Sequence, residues 1–241
     1  MIREKSQKGF TIVELMIALV LTGIIMAAVY GVYTTFYKTS GSQDLLTEAQ
    51  QNARAGAAII TGDLLNAGLN AGTINVIKKA KSDEIKFIFR DPRPDTQGYT
   101  NTRFEMKYKL KTESGIKYLV KKYNVCASGD ANCCTYNNSG YGDADEENKI
   151  VGYIADTNGL VFTYYDGNGS QISYSDIDTG DSVTEQTNRN TIRLVKVEIT
   201  TKTSSPLPTS NALSSVKVST QVYLRNMGVL GGSASVCDDA D

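Results

Sequence analysis

From Phe10 to Tyr37 the chain reads FTIVELMIALVLTGIIMAAVYGVYTTFY, an apolar run whose only charged residue is Glu14. As a helix rising about 1.5 Å per residue the run spans roughly 42 Å, more than the ~30 Å hydrocarbon core of a bilayer requires. Ahead of it, MIREKSQKG sets Arg3, Lys5 and Lys8 against the single acid Glu4. This basic flank, with no equally strong one after the run, predicts a cytoplasmic N-terminus and an exported remainder. A secretory signal peptide shares the basic start and apolar core, but its core is shorter and a small-x-small cleavage site follows it. Neither condition holds here.

Glu14 is the anomaly. A carboxylate in a membrane helix costs up to ~2.5–3.5 kcal/mol at mid-bilayer and less near the interface. Such a residue needs a partner or a purpose, and the plain alternative is a side chain that snorkels to the cytoplasmic headgroups. Composition removes other options. The 241 residues hold 25 Lys plus Arg against 26 Asp plus Glu, so no global basic field points to nucleic acid as the main partner. Histidine is absent, which takes away the commonest general base, metal ligand and nucleophile partner. Abundant Tyr, Thr, Ser, Asn and Gly without Trp suit an exported, β-rich, loop-rich surface.

Gly9-Phe10-Thr11-Ile12-Val13-Glu14-Leu15 resembles the class III signal of type IV prepilins: a short basic leader ending in Gly, then Phe, then Glu, then an uninterrupted apolar helix. The resemblance implies that a prepilin peptidase cuts between Gly9 and Phe10, that Phe10 is then N-methylated, and that Glu14 directs assembly. Physical chemistry agrees with those roles. Cleavage creates a positive amine at Phe10, and Glu14 can pair with the amine of a neighbouring subunit, an attraction strengthened by low dielectric. Gly31 stands about where major pilins often carry a proline, and no proline precedes Pro92. That departure leaves the resemblance intact and weighs against a major pilin.

Beyond Tyr37 the helix continues in amphipathic form: Leu45, Ala49, Ala53 and Ala57 repeat every fourth residue, with Leu46, Ile60 and Leu64 beside them. Gln50, Gln51, Arg54 and Asp63 are placed on other faces, and Gly68 and Gly72 are stop signals. The alternative is a break at Gly41 between two separate helices. Later segments read as strands. Phe104, Met106, Tyr108 and Leu110 alternate with charged residues, and Ile116–Tyr123 pairs with them through a turn over Thr112–Gly115. A hairpin joins Leu160–Tyr165 to Gln171–Tyr174 through Asp166–Gly169, and a last pair comprises Thr191–Thr201 and Val216–Arg225. The expected fold class is α+β: a long N-terminal helix, membrane-spanning then amphipathic, packed on an antiparallel β-sheet headpiece in the pilin manner. Its parts are a leader over 1–9, a transmembrane stretch over 10–37, an amphipathic continuation over 38–67 and a β-rich exoplasmic headpiece over 68–241. Three stretches, 62–68, 159–166 and 222–226, resemble PilW-type minor pilins and the related J-type pseudopilins of type II secretion.

Cys126, Cys133, Cys134 and Cys237 fall in the exported part, where an even count favours disulfides. Of three pairings, the vicinal one strains the backbone. The expected arrangement joins one of Cys133 and Cys134 to Cys126 and the other to Cys237. A zinc cluster is the alternative, but the spacing matches no zinc pattern. Calcium is a further alternative for the Asp143, Asp145, Glu146 and Glu147 cluster, and for Asp166-x-Asn168-x-Ser170, which has Gln171 and Ile177 where an EF-hand loop needs Gly and Glu. A solvated acidic loop and a plain hairpin turn are the readings preferred, so no metal and no cofactor are expected. The expected partners are other pilins or minor pilins through the helix, the prepilin peptidase and methyltransferase, and the inner membrane, with no small-molecule substrate. A tip module for adhesion or DNA capture, and a periplasmic enzyme on a signal anchor, are the competing functions. The leader with Glu14 and the missing catalytic constellation weigh against the enzyme.

Overall fold

The computed structural model describes residues 9–69, 76–91, 102–126, 147–178 and 183–227. One helix, α1, runs from Ile12 to Leu65 without interruption, so the chain does not break at Gly41. Its two halves live in different surroundings. Every residue from Gly9 to Tyr33 is exposed, whereas the second half buries Ser42, Ala49, Ala53, Gly56, Ala57, Ile60 and Leu64 along one face. Small residues dominate that face, and they let the helix axis lie close to the sheets. The helix ends at Leu65. Gly68, at φ +79°, turns the chain away, and a Cβ there would stand 2.3 Å from the Asn226 carbonyl oxygen, so only glycine fits.

Strands β1 (Ile77–Ala80), β2 (Ile85–Asp91), β3 (Thr102–Glu113), β4 (Ile116–Cys126) and β5 (Asn148–Val151) form an antiparallel sheet in chain order. Strands β6 (Leu160–Tyr165), β7 (Leu194–Lys202) and β8 (Ser215–Tyr223) form a second antiparallel sheet, also in chain order. The sequence expectation of a single sheet is thus corrected to two. The α+β class, with a long apolar helix packed on antiparallel strands, holds. A short helix, α2 (Val183–Asn190), precedes β7.

The register follows from side-chain alternation. Ile85, Phe87, Met106, Tyr108 and Leu119 face inward from the first sheet; Leu160, Phe162, Tyr164, Val195, Val197 and Ile199 do so from the second. Together with Ile60 and Leu64 of α1 they make one core. Each fully buried side chain of this kind contributes about 1.5–3 kcal/mol of transfer free energy. The β3–β4 turn lies at Ser114 and Gly115, both at positive φ, as the alternation predicts. The proposed strand over Gln171–Tyr174 shrinks to one bridge, Tyr165 to Gln171, followed by a 3-10 turn over Tyr174–Asp176. There the Asp166 carboxylate accepts the backbone N–H groups of Asn168 at 2.9 Å and Ser170 at 2.8 Å, which closes the turn locally.

Strand β8 runs beside α1 in the same direction. Near its start, the Thr201 hydroxyl of β7 donates to the Ala49 carbonyl at 2.7 Å, in a buried site. Past its end, the Asn226 amide donates to the Leu65 carbonyl at 3.2 Å. The second sheet therefore stands along the helix, with the β7–β8 loop at the end nearest the apolar half.

Candidate functional site

The candidate site is the head of α1. Gly9, Phe10 and Thr11 precede the first helical residue, and Phe10 is 85% exposed. Nothing lies within 4 Å of where a Cβ on Gly9 would sit, so the Gly9–Phe10 bond is sterically open in the described structure. Thr11 is the N-cap. Its hydroxyl accepts the Glu14 N–H at 3.2 Å, and the Glu14 carboxylate accepts the Thr11 N–H at 3.4 Å. This reciprocal pair is a capping box: it satisfies backbone donors that a helix start otherwise leaves unpartnered. The carboxylate also benefits from the positive end of the helix dipole. The signal, Thr-x-x-Glu ahead of an apolar run, stands in the sequence, yet a reading of Glu14 as an isolated charge passes over it.

Below the cap the helix offers only apolar surface and small residues. Thr22 donates its hydroxyl to the Ala18 carbonyl at 2.8 Å, and Thr34 and Thr35 both donate to the Gly31 carbonyl at 3.0 Å. Polar side chains on this stretch are thereby satisfied within the helix, as an apolar surrounding demands. Neither Gly23 nor Gly31 meets any atom of the folded chain, which leaves both as shallow points on the helix surface. This is the one helix among the described residues long and apolar enough to cross a membrane, and no part of its most apolar window is buried against the headpiece.

Where the helix meets the headpiece, polar ties alternate with close packing. Ser42 shares a hydroxyl–hydroxyl hydrogen bond with Thr209 at 3.0 Å and accepts the Thr209 N–H at 3.2 Å. At Gly56 a Cβ would stand 2.8 Å from a Val151 methyl and 3.2 Å from methyls of Ile199 and Leu119, so both sheets converge on this one turn. Asp63 corrects the sequence reading, which set it on another face. It points into the first sheet, where it accepts the Tyr108 hydroxyl and pairs with Lys121 at 2.6 Å. Burial, and then the hydrogen bond to Asp63, push the Tyr108 hydroxyl above its ordinary range.

Among the other candidate residues, Cys126 closes β4 in register with Arg103, while Cys133, Cys134 and Cys237 lie outside the described residues. Asp143, Asp145 and Glu146 also lie outside them. Glu147 is engaged by lysines at 2.7 Å (Lys109) and 2.5 Å (Lys111). Those two hydrogen-bonded ammonium groups hold its carboxyl down at about 2. Among the described residues, no three of Cys, Asp and Glu are grouped so that they could hold a metal ion.

Comparison with known proteins agrees with the head of the helix. Residues 5–30 match the family model of the prokaryotic N-terminal methylation motif. No curated protein matches the chain. Among solved structures, a type IV-like pilin from Thermus thermophilus superposes with a TM-score of 0.42 at 9% identity, over 75% of this chain and 98% of that one. Gly9, Phe10 and Glu14 all fall inside the matched segment, so the chain carries a prokaryotic N-terminal methylation motif at the head of an exposed apolar helix that continues into an antiparallel headpiece.

Proposed function

We propose that the chain is a minor subunit of a type IV pilus-like filament, matured by cleavage between Gly9 and Phe10 and N-methylation of Phe10. Residues 10–37 hold it in the inner membrane with a cytoplasmic N-terminus and a periplasmic headpiece. After maturation it joins other pilins through α1, priming or capping the filament, and reaches the cell exterior with it. It performs no catalysis of its own. One observation carries the reading: the methylation motif over residues 5–30 heads a helix whose most apolar stretch is not buried by any of the described residues. A helix that buries none of this surface at home is made to bury it elsewhere, first in lipid and then against neighbouring helices.

Glu14 carries the assembly step. Capped by Thr11, it sits in the first turn of α1, four residues after Phe10, which precedes the helix. Cleavage frees an amine there, and a neighbour's amine then competes for a carboxylate that the cap already holds aimed at the helix start. The PilW-type assignment rests on the resemblance of 62–68, 159–166 and 222–226. Two of these stretches meet in the fold, Asn226 bonding the Leu65 carbonyl. The same anchor would serve a J-type pseudopilin of a secretion system. Capture of DNA by the headpiece finds less support, because outward lysines of the first sheet are engaged by acids: Lys86 with Glu105, Lys79 and Lys107 with Glu84, and Lys149 with Glu113. Intact-mass and N-terminal peptide analysis of purified filaments tests the proposal. The expected chain begins at methylated Phe10; assembled material that retains MIREKSQKG rules it out.

A further inference from the structure

The loop between β7 and β8, Thr203–Ser214, reads TSSPLPTSNALS and contains no charged residue. It is ordered by its own hydrogen bonds: Thr203 N–H to the Ser214 carbonyl at 2.8 Å, Leu207 N–H to Ala212 at 2.9 Å, and Asn211 N–H to Leu207 at 2.8 Å. Asn211 takes positive φ at its tip. Most of its residues are exposed, and Leu213 is 53% exposed. The tip is fastened to α1 at Ser42 through Thr209, and Pro208 lies 3.5 Å from where a Cβ on Gly41 would be.

That fastening fixes the height of the loop. Tyr37 is the last residue of the apolar run, Lys38 is the first charge after Glu14, and Ser42 follows four residues later. At about 1.5 Å per residue, Ser42 stands roughly 7–8 Å above Tyr37 along the helix. The polar layer on each side of a bilayer is about 5–8 Å deep, taking ~40–45 Å overall and ~30 Å of hydrocarbon. With Tyr37 at the outer edge of the hydrocarbon, which sets Glu14 about 34 Å below it at the inner interface, a loop tied to Gly41 and Ser42 lies at headgroup level. The opposite end of the second sheet is far away, since Asn226 and Leu65 meet about 35 Å further up the helix. The two ends also differ chemically, the upper one carrying the Asp166–Gly169 turn with its carboxylate.

We propose that Thr203–Ser214 is a lipid-contacting foot, resting in the headgroup layer with Leu213 set into the interface and holding the headpiece upright on its anchor. Absence of charge lets the loop enter this layer without desolvating an ion, and an exposed leucine gains by leaving water. Lys38, at the same level, supplies the cation that faces lipid phosphates. The inference rests on the membrane-anchored reading of residues 10–37, and the test separates the two.

Because the chain has no tryptophan, a single introduced indole reports its own position. Full-length Leu213→Trp and Asn168→Trp chains are reconstituted in phosphatidylcholine–phosphatidylglycerol vesicles with and without a headgroup-nitroxide lipid, and flotation is scored in parallel. The Leu213→Trp chain is expected to float, to emit at shorter wavelength than in detergent-free water-exposed peptides, and to lose about half or more of its emission to the nitroxide, as an interfacial indole does. The Asn168→Trp chain is expected to float and keep its emission. Floating chains with no quenching at 213 overturn the foot and leave the anchor standing. Equal quenching at both positions means the headpiece lies on its side, which also overturns it. Chains that fail to float sink both readings. Should Leu213→Trp not fold by circular dichroism, Ala212→Trp, at an exposed neighbouring site, gives the same discrimination.

Discussion

Glu14 and Glu147 are both carboxylates that a sequence alone presents as liabilities, and the fold gives each a different set of partners. Glu14 is held by Thr11, so its charge is steadied before any neighbour arrives. Replacing Glu14 with Gln keeps the shape and much of the cap while removing the charge. Membrane insertion should survive or improve slightly, while incorporation into filaments falls; Glu14→Asp should be intermediate. Immunoblots of membranes and of sheared filaments measure both quantities, and equal incorporation of Glu14→Gln and wild type would reduce Glu14 to a capping residue. Glu147 instead joins the headpiece. Its folded pKa, lowered from 4.5 to about 2 by Lys109 and Lys111, means that the folded state binds its proton less readily than the unfolded chain does. Its stabilising contribution is complete above the unfolded value and is lost as pH falls toward the folded one, so between about pH 5 and pH 2 the melting temperature of wild type should drop more steeply than that of Glu147→Gln. Parallel slopes would show that the two lysines hold the carboxylate without stabilising the fold.

At the scale of elements, Gly56 shows how helix and sheets were fitted to each other. Glycine inside a helix costs about 1 kcal/mol relative to alanine, yet a Cβ here would press on Val151, Ile199 and Leu119 together. Gly56→Ala sets that gain against overpacking of about 1–3 kcal/mol, while Gly56→Leu has no room and should part the helix from both sheets. Melting of the detergent-solubilised full chain, followed by near-ultraviolet circular dichroism of its tyrosines, should rank wild type above Gly56→Ala and Gly56→Leu lowest. Sequence periodicity could find the long helix, the β3–β4 hairpin and the β7–β8 pair, because each alternates cleanly between buried and exposed positions. It missed what alternation does not encode. Strands β1 and β5 have only four residues each, and α2 is polar, burying Glu185 and Arg189 where apolar residues are the usual signal. Asp63 misled because an acid on an amphipathic helix ordinarily faces water; only the fold brings Tyr108 and Lys121 to it. At the head of the helix the methylation motif was legible, since a charge in an apolar run is conspicuous on any reading, while the Thr11 cap on that charge was passed over.

Across the whole molecule, an exposed apolar stretch and a headpiece share one helix, and β8 lies along it. The four cysteines belong to this scale, because a link from Cys237 to the 126–134 region would bind the tail to the first sheet. Non-reducing peptide mapping of the exported protein is expected to recover that linked peptide and no free thiol; four alkylatable thiols without reductant would overturn the pairing. Loss of the link should loosen the tail more than the sheets, whose core is closed without it. The placement of β8 parallel to α1 also has a mechanical meaning. A tug on the headpiece along the helix axis does not peel one contact after another. It loads in shear the ties at Ser42, Ala49, Asp63 and Leu65, which are spread along the shared length and must yield together. Tension along the axis therefore loads these ties in parallel, whereas a sideways pull at the β8 edge would meet those of the second sheet, at Ser42, Ala49 and Leu65, singly.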